Sequence, residues 1–363
     1  MKRPFIRNLT VLSSLIPLAW FICLCPGVGA RQSVASSLFP VCVEGKGCGY
    51  IDVTGKLIIG LSFEDAGDFS EGLARVKVTG KWGFIDETGK TVIPPAFEAA
   101  ADFSEGLAAV ASLRQGQKQP LWGYIERRGA SVVEALYGSA GPFTFGRAVI
   151  AAPRANKWGV IDRQGRIIVK PRYKFVSTYS EGLAAIDAGE KFGYIDLEGR
   201  VVIKPKLRGY GNFSEGLALV QLGKRQQGYI DKTGRVIIRL AEASEGGNFS
   251  EGLAPVRIRS GLAACGYIDK AGKIALEPQF ISCGEFTEGL ASVRFNDSAM
   301  RAHYIDKTGR TVINTPFGLA YAFHGALAPV YDGGIGLFDR GYIDRSGKIV
   351  WKPVFRELPF HVF

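Results

Sequence analysis

One phrase recurs nine times along this chain of 363 residues, and it constrains the fold more than any other feature. It reads GYIDVTGKLII from Gly49, GFIDETGKTVI from Gly83, GYIERRGASVV from Gly123, GVIDRQGRIIV from Gly159, GYIDLEGRVVI from Gly193, GYIDKTGRVII from Gly228, GYIDKAGKIAL from Gly266, HYIDKTGRTVI from His303 and GYIDRSGKIVW from Gly341. A second phrase, close to Phe-Ser-Glu-Gly-Leu-Ala-x-Val, lies between copies at Phe69, Phe103, Phe213, Phe249 and Phe286. Successive starts of the first phrase fall 34 to 40 residues apart. A near-fixed period in this range marks a repeat architecture, in which each unit buries its apolar face against its neighbours. The length alone suggests two or three globular domains. The unbroken repeat instead predicts one elongated or ring-shaped domain.

Each repeat reads as strands. In LARVKVTGKWGFIDETGKTVIP, Ala74, Val76 and Val78 alternate with Arg75 and Lys77, the period of a half-buried strand. Thr79-Gly80 turns the chain, and Trp82 to Asp86 runs back. Asp86-Glu87-Thr88-Gly89 makes a second turn, with the Asp side chain as acceptor and Gly in the left-handed position. Lys90 to Ile93 forms the third strand, which Pro94 and Pro95 are expected to end. Pro171, Pro205, Pro278 and Pro353 repeat that stop, with aromatic anchors at Phe97, Tyr173, Phe280 and Phe355. The fold class is therefore all-β, about nine three-stranded antiparallel meanders joined by structured crossovers. Strands two and three are apolar on both faces, so the meanders must stack. The first repeat carries its own strand at Val41 to Val43 and the last its third strand at Lys348 to Trp351, so neither terminus has a strand to lend. This predicts an open superhelical array; the alternative is a propeller-like closed ring.

The chain resembles the WG-repeat family of bacterial proteins, named for a Trp-Gly pair at the head of strand two. Trp82-Gly83, Trp122-Gly123 and Trp158-Gly159 match the pair, and Phe192-Gly193 is close. Gln227-Gly228, Cys265-Gly266, Arg340-Gly341 and Cys48-Gly49 keep only the glycine, and Ala302-His303 loses both. The resemblance covers nearly all of the chain after the N-terminal segment. It implies an interaction or surface module and names no ligand.

Residues 1–30 follow other rules. Lys2, Arg3 and Arg7 precede an apolar run from Leu9 to Cys25, and Val28-Gly29-Ala30 suits a signal peptidase. The expected organisation is a signal peptide at 1–30 (or an uncleaved anchor), a short linker at 31–40 and the repeat domain at 41–363. Export to the periplasm, the cell surface or the medium follows. Loss of the three basic residues lowers the formal net charge from +11 to +8. A basic exported surface suits a protein or an anionic envelope polymer, and nucleic acid does not fit an exported chain. The membrane enters only through a retained anchor, and the oligomeric state is left open. Cys42 and Cys48 flank a natural hairpin turn, and Cys265 and Cys283 share a later repeat, so two disulfides are expected. Zinc is not supported, because no Cys-x-x-Cys spacing or nearby His accompanies them.

An acidic residue ends strand two in every copy, from Asp52 to Asp344, and turn formation accounts for it. Calcium would need several oxygens on one ion. A basic residue follows the turn glycine in eight copies: Lys56, Lys90, Arg166, Arg200, Arg235, Lys273, Arg310 and Lys348. Stacked in register, these form either a binding stripe for an anionic partner or a row neutralised by the Asp residues. The Glu of the second phrase reads as scaffold within a tight turn. The pattern breaks at 134–147 and 314–326, places where a site need not obey scaffold rules. No nucleophile, cofactor or metal constellation is legible, and the expected function is a non-enzymatic exported scaffold. The rivals are a purely structural surface protein and a wall- or glycan-acting hydrolase, which needs paired carboxylates; Glu134 is the single acid in its irregular segment.

Overall fold

The computed structural model describes residues 38–154, 157–241, 244–258, 265–296, 300–331 and 340–352. The expected signal peptide or anchor lies outside these residues, as do Pro353 and Phe355. The described residues form 34 β-strands, all paired antiparallel, in nine consecutive units. Unit 1 has three strands, Phe39–Val43, Gly47–Ile51 and Leu57–Phe63. Its first strand starts at Phe39, inside the segment read from sequence as a linker.

Unit 2 shows the usual form, Asp65–Ala66, Leu73–Val78, Lys81–Asp86 and Thr91–Phe97, paired in chain order. The expected three-stranded meander thus gains a short leading strand. Two residues of the crossover, Asp65 and Ala66, pair with Lys77 and Val76, which satisfies their backbone groups. Units 7 and 8 share one continuous strand, Ile274–Cys283, which pairs back through Phe280 and forward through Ser282 and Cys283.

The prolines do not end the third meander strand. Pro94, Pro95, Pro171, Pro205 and Pro278 all lie within it. They sit at a bulge, on an edge strand in all cases but Pro278, where a missing donor costs little. That bulge brings backbone close to the glycine of strand two. A Cβ on Gly83 would lie 2.6 Å from the Ile93 carbonyl oxygen and 2.7 Å from the Pro95 nitrogen. On Gly193 it would lie 2.4 Å from the Ile203 carbonyl oxygen. The glycine of the Trp-Gly pair is a close-approach residue.

Both disulfides are present. Cys42 and Cys48 face each other across the first hairpin, and Cys265 joins Cys283.

Consecutive units are joined by one recurring device. In most units a Tyr hydroxyl donates to a backbone carbonyl in the next: Tyr50 to Gly67, Tyr124 to Gly141, Tyr194 to Gly211, Tyr229 to Gly247 and Tyr267 to Gly284, all at 2.7–2.8 Å, whereas unit 2 has Phe84 and unit 4 Val160 at this position. The ring of each packs on the Phe that opens the next unit's second phrase, namely Phe69, Phe143, Phe213, Phe249 and Phe286. Such a ring pair adds about 0.5–1.5 kcal/mol beyond area burial. Burial pushes these phenols above their ordinary titration range.

The same device closes the molecule on itself. Tyr342 of unit 9 donates to the Pro40 carbonyl of unit 1 at 3.0 Å, and its ring meets Phe39 edge-on at 5.5 Å. Phe39, Val41, Ile51, Leu327 and Tyr342 form one buried cluster across this seam. The open array is therefore corrected to the alternative, a propeller-like closed ring. No lent strand is needed, because Phe39-Pro40 takes the part that the second phrase plays elsewhere.

Packing at the turn glycines tightens each seam. A Cβ on Gly199 would lie 2.5 Å from Val169 Cγ2 of the preceding unit, and the residue has φ +77°. Gly182 has φ +83° with nothing within 4 Å. Gly182→Ala should cost only backbone strain, about 1 kcal/mol, whereas Gly199→Ala should cost about 1–3 kcal/mol more from overpacking. Denaturant midpoints of the two variants measured side by side check this difference.

Candidate interaction surface

The eight expected cations occupy one structural position, the last residue of the turn between the second and third meander strands. The turn is built by its Asp. In eight of nine copies the Asp Oδ1 accepts amides two and four residues ahead, as Asp52 does from Thr54 at 2.8 Å and Lys56 at 3.0 Å. The basic side chain then stands in solvent beside its own carboxylate. Arg166, Arg200, Arg235 and Arg310 are each 74–80% exposed and pair with Asp162, Asp196, Asp231 and Asp306 at 2.6–3.3 Å. Lys56, Lys90, Lys273 and Lys348 donate their backbone amides to the same acceptor. The row is thus interleaved with its own counter-charges.

These contacts set the Asp titration. Hydrogen bonds from the hydroxyls of Thr54, Thr88, Thr233, Thr308 and Ser346 are the largest cause holding Asp52, Asp86, Asp231, Asp306 and Asp344 below the usual carboxylate range. Burial pushes Asp162 and Asp196 up, but the guanidinium and amide contacts outweigh it and both end lower.

The Glu of the second phrase does more than turn the chain. It holds φ near +50°, at Glu71, Glu105, Glu181, Glu215, Glu251 and Glu288, and reaches into the next unit. Glu71 accepts from the Gly106 amide at 2.9 Å and Glu215 from Gly252 at 3.0 Å. A cation three places after the next unit's Tyr completes the latch: Lys232 with Glu181, Lys270 with Glu215, Lys307 with Glu251, and Arg345 with Glu288. The preceding Ser adds a third link, Ser70 Oγ to the Phe103 carbonyl at 2.7 Å. Sequence reading missed the latch, although the alternation of Glu in one unit with Lys or Arg in the next was its signal.

The irregular segment 134–147 now has a physical meaning. At the junction of units 4 and 5, Val160 replaces the Tyr, Tyr179 replaces the Phe, Phe145 replaces the Glu and Leu197 replaces the latch cation. Tyr179 sends its hydroxyl to the Asp196 carbonyl at 2.9 Å. Thr144 Oγ1 is buried there with no partner among the described residues. In the segment 314–326, His324 takes the place of the Ser and pairs with Leu327. Glu134 lies at an exposed edge, 3.5 Å from Arg114. Among the described residues, no group of three or more His, Cys, Asp or Glu residues is arranged to hold a metal.

The family model for the WG containing repeat matches residues 49–82, 82–111, 122–150, 158–191, 192–225, 228–260 and 266–297. No curated protein sequence matches the chain. Among solved structures, a eukaryotic initiation factor is similar with TM-score 0.60 and 12% identity, over 89% of this chain and 96% of that one. BamB from Moraxella catarrhalis matches with TM-score 0.40 and 11% identity, over 84% of this chain and 96% of that one. The first of these likenesses supports the ring-like β fold and nothing further.

Two expectations follow. In a double-mutant cycle on Glu215 and Lys270, which are 24% and 47% exposed, the screened pair should show a coupling of about 0.5 kcal/mol. Glu215→Ala alone should cost about 1–2 kcal/mol, because the Gly252 amide loses its acceptor. The second concerns acid. A carboxylate whose folded pKa is depressed adds stability that is complete above its unfolded value and is lost as pH falls through the folded value. With seven such Asp residues, urea midpoints should stay level from about pH 7 to 5 and fall steadily below about pH 4. Glu285, whose carboxyl burial pushes up, works in the opposite sense.

Proposed function

The chain belongs to the WG-containing repeat family, and from that premise we propose that it is an exported, non-enzymatic scaffold that binds a protein or an anionic envelope polymer. One observation carries the reading: the recurring polar residues are taken up in turns and seams, while the outward positions of each unit's last strand differ from unit to unit. Eleven and thirteen residues after the start of the first phrase, the exposed residues of units 1 to 7 read Gly60 and Ser62, Pro94 and Ala96, Glu134 and Leu136, Lys170 and Arg172, Lys204 and Lys206, Arg239 and Ala241, then Glu277 and Gln279. A constant interior with a variable edge is the arrangement by which stacked repeats present binding surfaces. Two disulfides, one inside the first hairpin, favour an oxidising compartment and support export.

The test is retention by an envelope fraction, followed by cross-linking and identification of what is captured, with release of reducing ends measured in parallel. Saturable capture without release is expected. Non-saturable retention, or catalytic release of glycan fragments, would contradict the proposal.

A further inference from the structure

The last strands of units 4 and 5, Ile167–Tyr173 and Val201–Leu207, are set apart by three cations at one edge, where unit 6 has Arg239 alone. Lys170, Arg172 and Lys174 are exposed along the first strand and just beyond it. Lys204, Lys206 and Arg208 repeat this on the second. The first two of each set alternate along the strand and the third lies at the bend that follows it, so each set places three exposed cations along one edge. The two rows stand side by side, because the turn that leads into the second strand packs on the first, Gly199 against Val169 and Ile168. None of the six forms an ion pair with a described residue, in contrast to the turn arginines; Arg172 instead lies over the Tyr173 ring at 4.9 Å. On units 1 to 3 the corresponding edges carry Glu64, Glu98 and Glu134, so the basic rows are a local feature of the ring.

A second observation lies at the end of these rows. Lys174 leads directly into Phe175, and Arg208 stands two residues before Tyr210. Trp158, Phe175, Tyr210 and Phe192 form a continuous chain of half-buried rings, with centroids 6.2, 5.2 and 4.9 Å apart in that order. Arg172 donates to the Tyr173 hydroxyl at 3.0 Å, and cations without a carboxylate partner, lined along one edge, suit a partner whose charges are also in a row. Partly open aromatic rings suit the C–H faces of sugar rings, which a lipid headgroup layer or a simple polyphosphate does not offer.

We infer that units 4 and 5 form a binding site for a linear acidic polysaccharide, with Lys170, Arg172, Lys174, Lys204, Lys206 and Arg208 contacting its carboxylates and the Trp158 to Phe192 ring chain contacting its sugar faces. This inference rests on the scaffold reading and supplies the ligand class and the place. Charge attraction should dominate the affinity, so binding weakens as salt rises.

The experiment titrates the protein with polygalacturonate of defined length at several salt concentrations, following tryptophan fluorescence and a direct binding signal. Long-chain polyphosphate, neutral dextran, and vesicles of equal parts phosphatidylglycerol and phosphatidylcholine are the comparison ligands. Two triple variants, K170Q/R172Q/K174Q and K204Q/K206Q/R208Q, are compared with the turn variant R166Q/R200Q/R235Q/R310Q. The expected result is saturable, salt-sensitive binding of polygalacturonate that perturbs tryptophan emission. Each row variant should weaken it by about tenfold or more and the turn variant by less than about threefold, at unchanged denaturant midpoints. Equal loss in the turn variant, equal binding of polyphosphate, preference for vesicles, or no saturable binding would each overturn the inference. Should it fail while both row variants are still captured saturably by the envelope fraction, the scaffold reading survives and only this site falls. Should a row variant lose its fold, the single-strand partner variant and the salt dependence decide in its place.

Discussion

The structure depends on a tyrosine that belongs to one unit and is satisfied by the next. Its phenol is buried, so the hydroxyl needs a partner, and the nearest carbonyl lies in the following repeat at 2.7–2.8 Å. A unit that carries this tyrosine is therefore not complete alone. The Ser and Glu links run in the same direction, from each unit into its successor, and so the chain has a built-in sense of addition. A sequence of such links ends in one of two ways: the last tyrosine is left wet, or the first unit supplies its partner. Here Tyr342 finds Pro40 and Phe39, and the series returns to its start.

Much of this was legible in the repeat. The turns follow from Asp and Gly at fixed spacing, and the Cys42–Cys48 pair follows from a hairpin with cysteines at matching positions. Closure was not legible, because Phe39-Pro40 does not resemble the second phrase and its partner stands 302 residues away. The short leading strands were hidden because two paired residues, such as Asp65 and Ala66, leave no period to read. The prolines misled because a missing donor usually ends a strand, whereas at an exposed bulge it is tolerated. The basic rows escaped notice for a different reason. Attention to what recurs favours positions such as Arg200, and the informative cations are those that come three together at one edge, as they do in units 4 and 5.

This division also bears on function. Residues that repeat nine times are held by symmetry-related duties, and the turn arginines turn out to be neutralised by the carboxylates that shape their own loops. Departures from the pattern cluster at units 4 and 5, where the seam changes its tyrosine, phenylalanine, glutamate and lysine together and the edge strands become basic. The substitutions compensate one another in size: Val160 makes room, and Tyr179 fills it and bonds to Asp196. A ring can absorb one altered seam because the remaining junctions hold the circle.

The most direct test is the distance between units 1 and 9. Spin labels on cysteines introduced at the exposed residues Val53 and Ile349 report it in solution. Gly55 and Val350 are in contact across the seam, so a closed ring predicts one narrow distribution below about 25 Å, label arms included. An open array would separate the ends by eight sheet-to-sheet steps of about 10 Å, giving a distance near 80 Å. That longer distance would contradict the account.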